Sequence, residues 1–169
     1  MAAKTKMLED LFHETLKDIF FAEKQILKAL PKLAKAANLA ELRNAFAKHR
    51  DETEEQVGRL EEIFELIGKP ARGKTCDAIL GILDEGKEVM AEFDDSPALD
   101  AGLLAGAQAV EHYEISRYGT LMTWANELGY KDAVKLLDAT LKEEKNTDST
   151  LSQLAESEVN QHAETAQAA

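Results

Sequence analysis

Apolar residues recur at intervals of three and four over four long stretches of the chain, with polar punctuation between them. From Leu8 to Ala37 the series Leu8, Leu11, Phe12, Leu16, Ile19, Ile26, Leu30, Leu33 and Ala37 has the period of an amphipathic helix. Pro31 falls inside this first long helix, and its missing N–H predicts a kink near the preceding turn. The second long helix is predicted from about Leu39 to Ile67, where Gly68, Lys69 and Pro70 form a stop. The third runs from about Ala98 to Leu128 and the fourth from about Lys131 to Val159, separated by Gly129 and Tyr130. Between the second and third, Ile79, Leu80, Leu83, Val89, Met90 and Phe93 predict a short extra helix. Asp94, Asp95 and Ser96 then offer N-cap groups and Pro97 a first-turn residue.

Each long helix spans roughly 40 Å at 1.5 Å per residue, and none can bury its apolar stripe alone, so the four should bundle. Short links make antiparallel hairpins of the first pair and of the last pair. The long crossover carries its own helix, which can run back along the bundle and leave the third long helix parallel to the second. That connectivity predicts an all-α, ferritin-like four-helix bundle. A single domain is expected over residues 1–160, with 161–169 a frayed tail that lacks apolar period.

Composition agrees with long helices: 169 residues hold only 3 Pro and 9 Gly, and aromatics make up 6%. The charge of −12 comes without any basic stripe, which argues against nucleic acid as a partner and is compatible with divalent cations. No leader-like or membrane-spanning apolar run occurs, so a cytoplasmic protein is expected. The single cysteine, Cys76, cannot form an internal disulfide and is assigned no role.

The apolar stripes turn polar at mid-length. The second long helix threads through Leu42, Phe46, His49, Thr53, Gln56, Leu60, Ile63 and Ile67, with Glu52 one turn after His49. In the fourth, Glu144 and Asp148 interrupt the series Val134, Leu137, Leu141, Leu151, Ala155. Glu23 interrupts the first stripe and Glu111 the third. Glu23 lies 15 residues before Asn38 and Glu52 lies 14 after it; Glu111 lies 15 before Asn126 and Glu144 lies 14 after Tyr130. Residues equidistant from a turn share a height in an antiparallel hairpin, so the four carboxylates should be level, as an internal repeat of two hairpins. Unpartnered buried carboxylates cost several kcal/mol each and repel one another, and a cation is the simplest compensation.

Such an oxygen-rich site suits Fe or Mn and, less sharply, Mg or Ca; sulfur-ligated zinc is excluded. His49 and Asp148 add donors a turn away, and Glu114, three beyond Glu111, is open to ligation or to a surface or neighbouring role. The other reading is a satisfied polar layer with Tyr113, Tyr118, Thr53 and Gln56 that fixes register without metal. His13, His112 and His162 are expected to be exposed or structural.

The segments AEKQILKALPKLAKAA, FAKHRDETEEQ, VEHYEISRYGTL and LKEEKNTD resemble the YciE/YciF family of bacterial stress proteins, over about Leu8 to Ala155. The resemblance implies a ferritin-like, rubrerythrin-related fold, a homodimer and a centre of two metal ions, with expression tied to stress. It carries ligands onto Glu23, Glu52, Glu111 and Glu144, with His49, Glu114 and Asp148 beside them. The chain lacks the Glu-x-x-His pattern of di-iron bundles in its second and fourth long helices and has no Cys-x-x-Cys module to deliver electrons. Two functions are therefore carried forward: a two-ion Fe or Mn centre handling peroxide, oxygen or Fe(II), with peroxidase- or ferroxidase-like activity, and a non-enzymatic stress scaffold with a structural polar or metal site.

Overall fold

The computed structural model describes residues 5–165. Among them there is no strand, and the helices are α1 (Leu8–Ala36), α2 (Ala40–Leu66), α3 (Asp77–Glu92), α4 (Leu99–Glu127), α5 (Lys131–Leu154) and α6 (Asn160–Thr165). The all-α, ferritin-like bundle read from the apolar period is the observed fold, with α1, α2, α4 and α5 as its long helices. Pro31 lies within α1 without ending it.

Cross-helix contacts define the packing. Gln56 meets Glu143 and Arg59 meets Thr140, so α2 and α5 are antiparallel neighbours. Gln108 reaches Ser152 from α4 to α5, while Asp18 of α1 meets Tyr113 of α4. Asp100, near the start of α4, holds the turn after α1, which sets α4 antiparallel to α1 and hence parallel to α2. The crossover helix α3 packs against α1 and α4. A Cβ at Gly102 would fall 2.5 Å from Val89 Cγ1, so only glycine permits this approach of α3 to α4. The core at the far end is aromatic, with Phe20 and Phe64 edge to face at 5.3 Å.

Chain stops follow the predicted chemistry. Gly68 (φ 66°) and Gly129 (φ 76°) take the left-handed conformation after α2 and α4. Each is followed by an N–H that reaches back five residues, Lys69 to the Phe64 carbonyl and Tyr130 to that of Ala125. The turn between α1 and α2 is built from further away. The buried Asp100 accepts the N–H groups of Asn38 and Leu39, both at 2.7 Å, and Arg43 donates to the carbonyls of Ala37 and Asn38. Replacing Asp100 with Ala leaves both N–H groups without their acceptor and is expected to cost about 2 kcal/mol in urea unfolding, with Asp100→Asn, which keeps one acceptor, losing less.

The last helix departs from expectation. α5 ends at Leu154, a π-helical stretch covers Ala155–Val159, and α6 continues to Thr165. Leu151, Ala155 and Val159 are spaced by four, and a 3.6-residue period would rotate them apart; the wider π turn keeps Val159 buried. Helical order thus extends past residue 160, where fraying was expected to set in; the remainder of that tail, 166–169, lies outside the described residues.

Candidate metal centre

The polar interruptions converge in mid-bundle. Glu23 comes from α1, His49 from α2, Glu111 and Glu114 from α4 and Glu144 from α5; His49 is 3% exposed and the four carboxyls 0%. His49, Glu111, Glu114 and Glu144 each present one ligand atom within 4.8 Å of the others. His49 Nδ1 lies 3.0 Å from Glu111 Oε1, and its Nε2 3.8 Å from Glu114 Oε2. The His49 carbonyl accepts from Thr53 Oγ1 at 2.8 Å, which anchors α2 at this level. Glu23 joins from the side, its Oε1 accepting the buried Tyr118 hydroxyl.

What the group lacks is compensation. Both oxygens of Glu111, Glu114 and Glu144, Oε2 of Glu23 and Nε2 of His49 are buried with no hydrogen-bond partner. Among the described residues no lysine or arginine pairs with any of these carboxyls. On α2, the partly buried Arg59 is held by Glu143 in a two-pronged pair at 2.5 and 2.7 Å. The electrostatics follow. Burial, then the charge of Glu144, pushes the Glu23 carboxyl up to about 8. Burial chiefly raises Glu144 to about 7, with Glu143 and Glu52 adding to it. Burial raises Glu114 well above the ordinary carboxyl value and Glu111 to about 11, with the charge of a neighbouring carboxylate, Glu23 and Glu144 respectively, as the next cause. His49, desolvated and facing Lys48, is lowered to about 4 and is therefore neutral near pH 7, with a lone pair available to a cation.

Two expected ligands stand outside this group. Glu52, 23% exposed, is turned to Lys48 and accepts Thr147 Oγ1 at 3.4 Å. It lines a small cleft of about 80 Å³ between α2 and α5. Asp148, 24% exposed, faces His112 Nε2 at 3.1 Å and Gln108 at 3.4 Å. Both remain close enough for their charge to raise carboxyls inside, Glu52 that of Glu144 and Asp148 that of Glu111. Glu114, left open by the sequence, is inside. Of the residues named for a satisfied polar layer, Tyr118 bonds Glu23, Thr53 bonds the His49 carbonyl and Gln56 bonds Glu143, whereas Tyr113 turns to Asp18 and Cys76. Sequence reasoning missed Arg59–Glu143 and Asp100; a basic residue on the inward edge of a helix was the signal for the first, and the second had none.

Comparison with known proteins places the chain. Residues 7–164 match the profile of a domain of unknown function, DUF892. The chain belongs to the DUF892 family. Protein YciF of Escherichia coli K12 is 44% identical over 160 residues, covering 94% of this chain and 96% of that one. The crystal structure of the E. coli stress protein YciF superimposes with a TM-score of 0.88 at 43% identity, over 92% of this chain and 99% of the other. YcfI of Rhodopseudomonas palustris, described as a candidate structural protein, gives 0.86 at 43% identity, over 90% and 97%. A Xanthomonas campestris protein at 19% identity shares the fold, with a TM-score of 0.74 over 95% and 99%. The resemblance to YciF is thus borne out for this DUF892 chain. Among the described residues no helix is long and apolar enough to cross a membrane.

Proposed function

We propose that this YciF homologue is a cytoplasmic, homodimeric stress protein whose bundle holds two Fe or Mn ions and handles peroxide or ferrous iron. The observation that supports it is the set of orphaned atoms: seven carboxylate oxygens and one imidazole nitrogen, buried without partners in one mid-bundle group. Oxygen donors with a single imidazole are the donor set that Fe and Mn accept, and no sulfur intrudes. His49, Glu111, Glu114 and Glu144 are the core ligands, with Glu23 beside them. Glu52 and Asp148, one turn along from His49 and Glu144, are the further carboxylates on which a second ion draws. Bound ions would supply redox and Lewis-acid chemistry toward peroxide or oxygen. The protein's own groups keep water out, hold His49 neutral, and fix Glu23 through the Tyr118 hydroxyl.

Metal analysis after chelation and anaerobic reloading with Fe(II) or Mn(II) tests this. About two ions per chain are expected, falling towards zero in Glu114→Gln/Glu144→Gln, with peroxide consumption lost in parallel. A wild type that takes up no metal sinks the proposal. The second reading, a scaffold without turnover, draws on the description of the R. palustris relative as structural; metal uptake with no peroxide- or Fe(II)-dependent chemistry would favour it.

A further inference from the structure

The donor atoms of the candidate centre are sealed from solvent, so an ion reaches them only between helices. Around Glu23, α1 presents the buried Ile19, Ala22 and Ile26, and the buried Tyr118 covers Glu23 from α4. On the α4–α5 side Gln108 lies across the seam, donating to Ser152 at 2.8 Å and to Asp148 at 3.4 Å. Along the α2–α5 seam the Arg59–Glu143 pair closes one stretch. The neighbouring stretch is open. There Ala45, Lys48 and Glu52 of α2 and Asn146, Thr147 and Thr150 of α5 line the small cleft.

This cleft ends against the centre. Glu52 follows the ligand His49 by one turn on α2, and Thr147 follows the ligand Glu144 by one turn on α5. The Glu52 charge is felt inside, where it helps to raise the Glu144 carboxyl. The lining has the chemistry a hard cation needs as it sheds water: a carboxylate, two threonine hydroxyls and the Asn146 amide oxygen. One cation already occupies the mouth. The Lys48 ammonium, 60% exposed, pairs with Glu52 from the solvent side, while Thr147 Oγ1 donates to the same carboxylate from below at 3.4 Å. An exposed pair four residues apart on a helix is weak and readily exchanged. We propose that the α2–α5 cleft is the entry site for divalent cations, where Glu52 takes an ion from solvent in exchange for Lys48 and passes it to His49 and Glu144. The proposal rests on the metal reading above and adds to it a route and a first binding station.

Rapid mixing of the chelated full chain with Mn(II), followed by the loss of the free-ion paramagnetic signal, gives the rate of entry; the end point gives the ions bound. Lys48→Gln removes the competing ammonium and should speed entry about tenfold, an advantage that shrinks in about 0.5 M salt, with the number of ions bound unchanged. Ala45→Leu/Thr150→Leu fills the cleft and should slow entry at least tenfold, with the final stoichiometry and the circular-dichroism melt those of wild type. Both rate changes are required. Wild type that fills, at a rate that ignores either variant, overturns the entry site and leaves the metal reading standing. Wild type that binds no Mn(II) overturns both.

Discussion

Protein freed of divalent cations by a chelator is expected to melt at progressively lower temperature as the pH rises from 5 to 8, and Mn(II) should restore the loss most fully at pH 8. The buried carboxyls have folded-state values raised above the ordinary 4.5, to about 7 for Glu144, about 8 for Glu23 and about 11 for Glu111, and Glu114 is raised well above it too. Between 4.5 and those values the folded chain holds protons that the unfolded chain has released. Their contribution is full below pH 4.5 and is lost as pH climbs through the folded values. His49 acts in the opposite sense. Lowered to about 4, it is neutral when folded, and the unfolded chain gains a proton below 6.5, so its effect is confined to the acid side, between 4 and 6.5. Above pH 6.5 only the carboxyls slope, and a chain of this size loses about 2–4 °C per kcal/mol, which makes a fall of about 10 °C the expected scale. A cation replaces the departing protons, so its affinity and its stabilisation both rise with pH. Thermal melts at fixed ionic strength check this, with Glu114→Gln/Glu144→Gln as the control that should reduce the slope, Glu111 and Glu23 retaining theirs. A wild-type melting temperature that is level or rising from pH 6.5 to 8 would rule out the electrostatic account.

How much of this centre was legible depended on which coordinate of a helix was being read. Height along the bundle came from counting residues to the turns, which put Glu23, Glu52, Glu111 and Glu144 level; Glu23, Glu111 and Glu144 do gather, but the residue of α2 that joins them is His49, expected a turn away. Rotation about each helix axis is a finer matter. Glu52 follows His49 by three residues and passes for a seam position, yet the buried face of α2 runs through His49, Thr53 and Gln56. That places Glu52 at the edge, where Lys48 four residues earlier draws it outward. Asp148 is displaced in the same way by His112, a partner on another helix that no local pattern announces.

Glu114 illustrates the converse. α4 is buried over much of its circumference, through Leu103, Leu104, Ala107, Val110, Glu111, Tyr118 and Leu121, so it has no clear polar face against which to judge an interior carboxylate. The α1–α2 turn failed for a different reason. Its stabilising acceptor, Asp100, is 62 residues from Asn38, and local capping signals cannot report a group delivered by another helix. The π stretch escaped because its apolar residues are spaced by four, a pattern that a 3.6-residue search reads as drift. By contrast, helix number, length and order were legible because long uninterrupted periods, glycine stops and a long crossover leave few alternatives.

Replacing the carboxylates by leucine separates a metal centre from a structural layer. In Glu111→Leu/Glu114→Leu/Glu144→Leu the desolvation cost of three orphaned carboxyls disappears, and apolar side chains of similar volume can pack in their place. Replacing buried ionisable groups by well-packed apolar side chains of similar volume is often neutral or stabilises by about 1–4 kcal/mol. The triple variant, compared with chelated wild type at pH 8, should therefore melt about 3–15 °C higher on the same scale of 2–4 °C per kcal/mol. It should also bind no Mn(II) or Fe(II) and show a much shallower downward slope above pH 6.5, with Glu23 the remaining raised carboxyl of the group. His49, neutral in the wild type, need not change its charge to remain among the leucines. The opposite result has an equally clear meaning. Were the carboxyls to fix helix register through polar contacts among themselves, their loss would lower the melting temperature or broaden the transition, as expected when a satisfied buried network is removed. Stability that rises while metal uptake vanishes is the behaviour of a site maintained against the folding energy of the chain for the sake of what it binds.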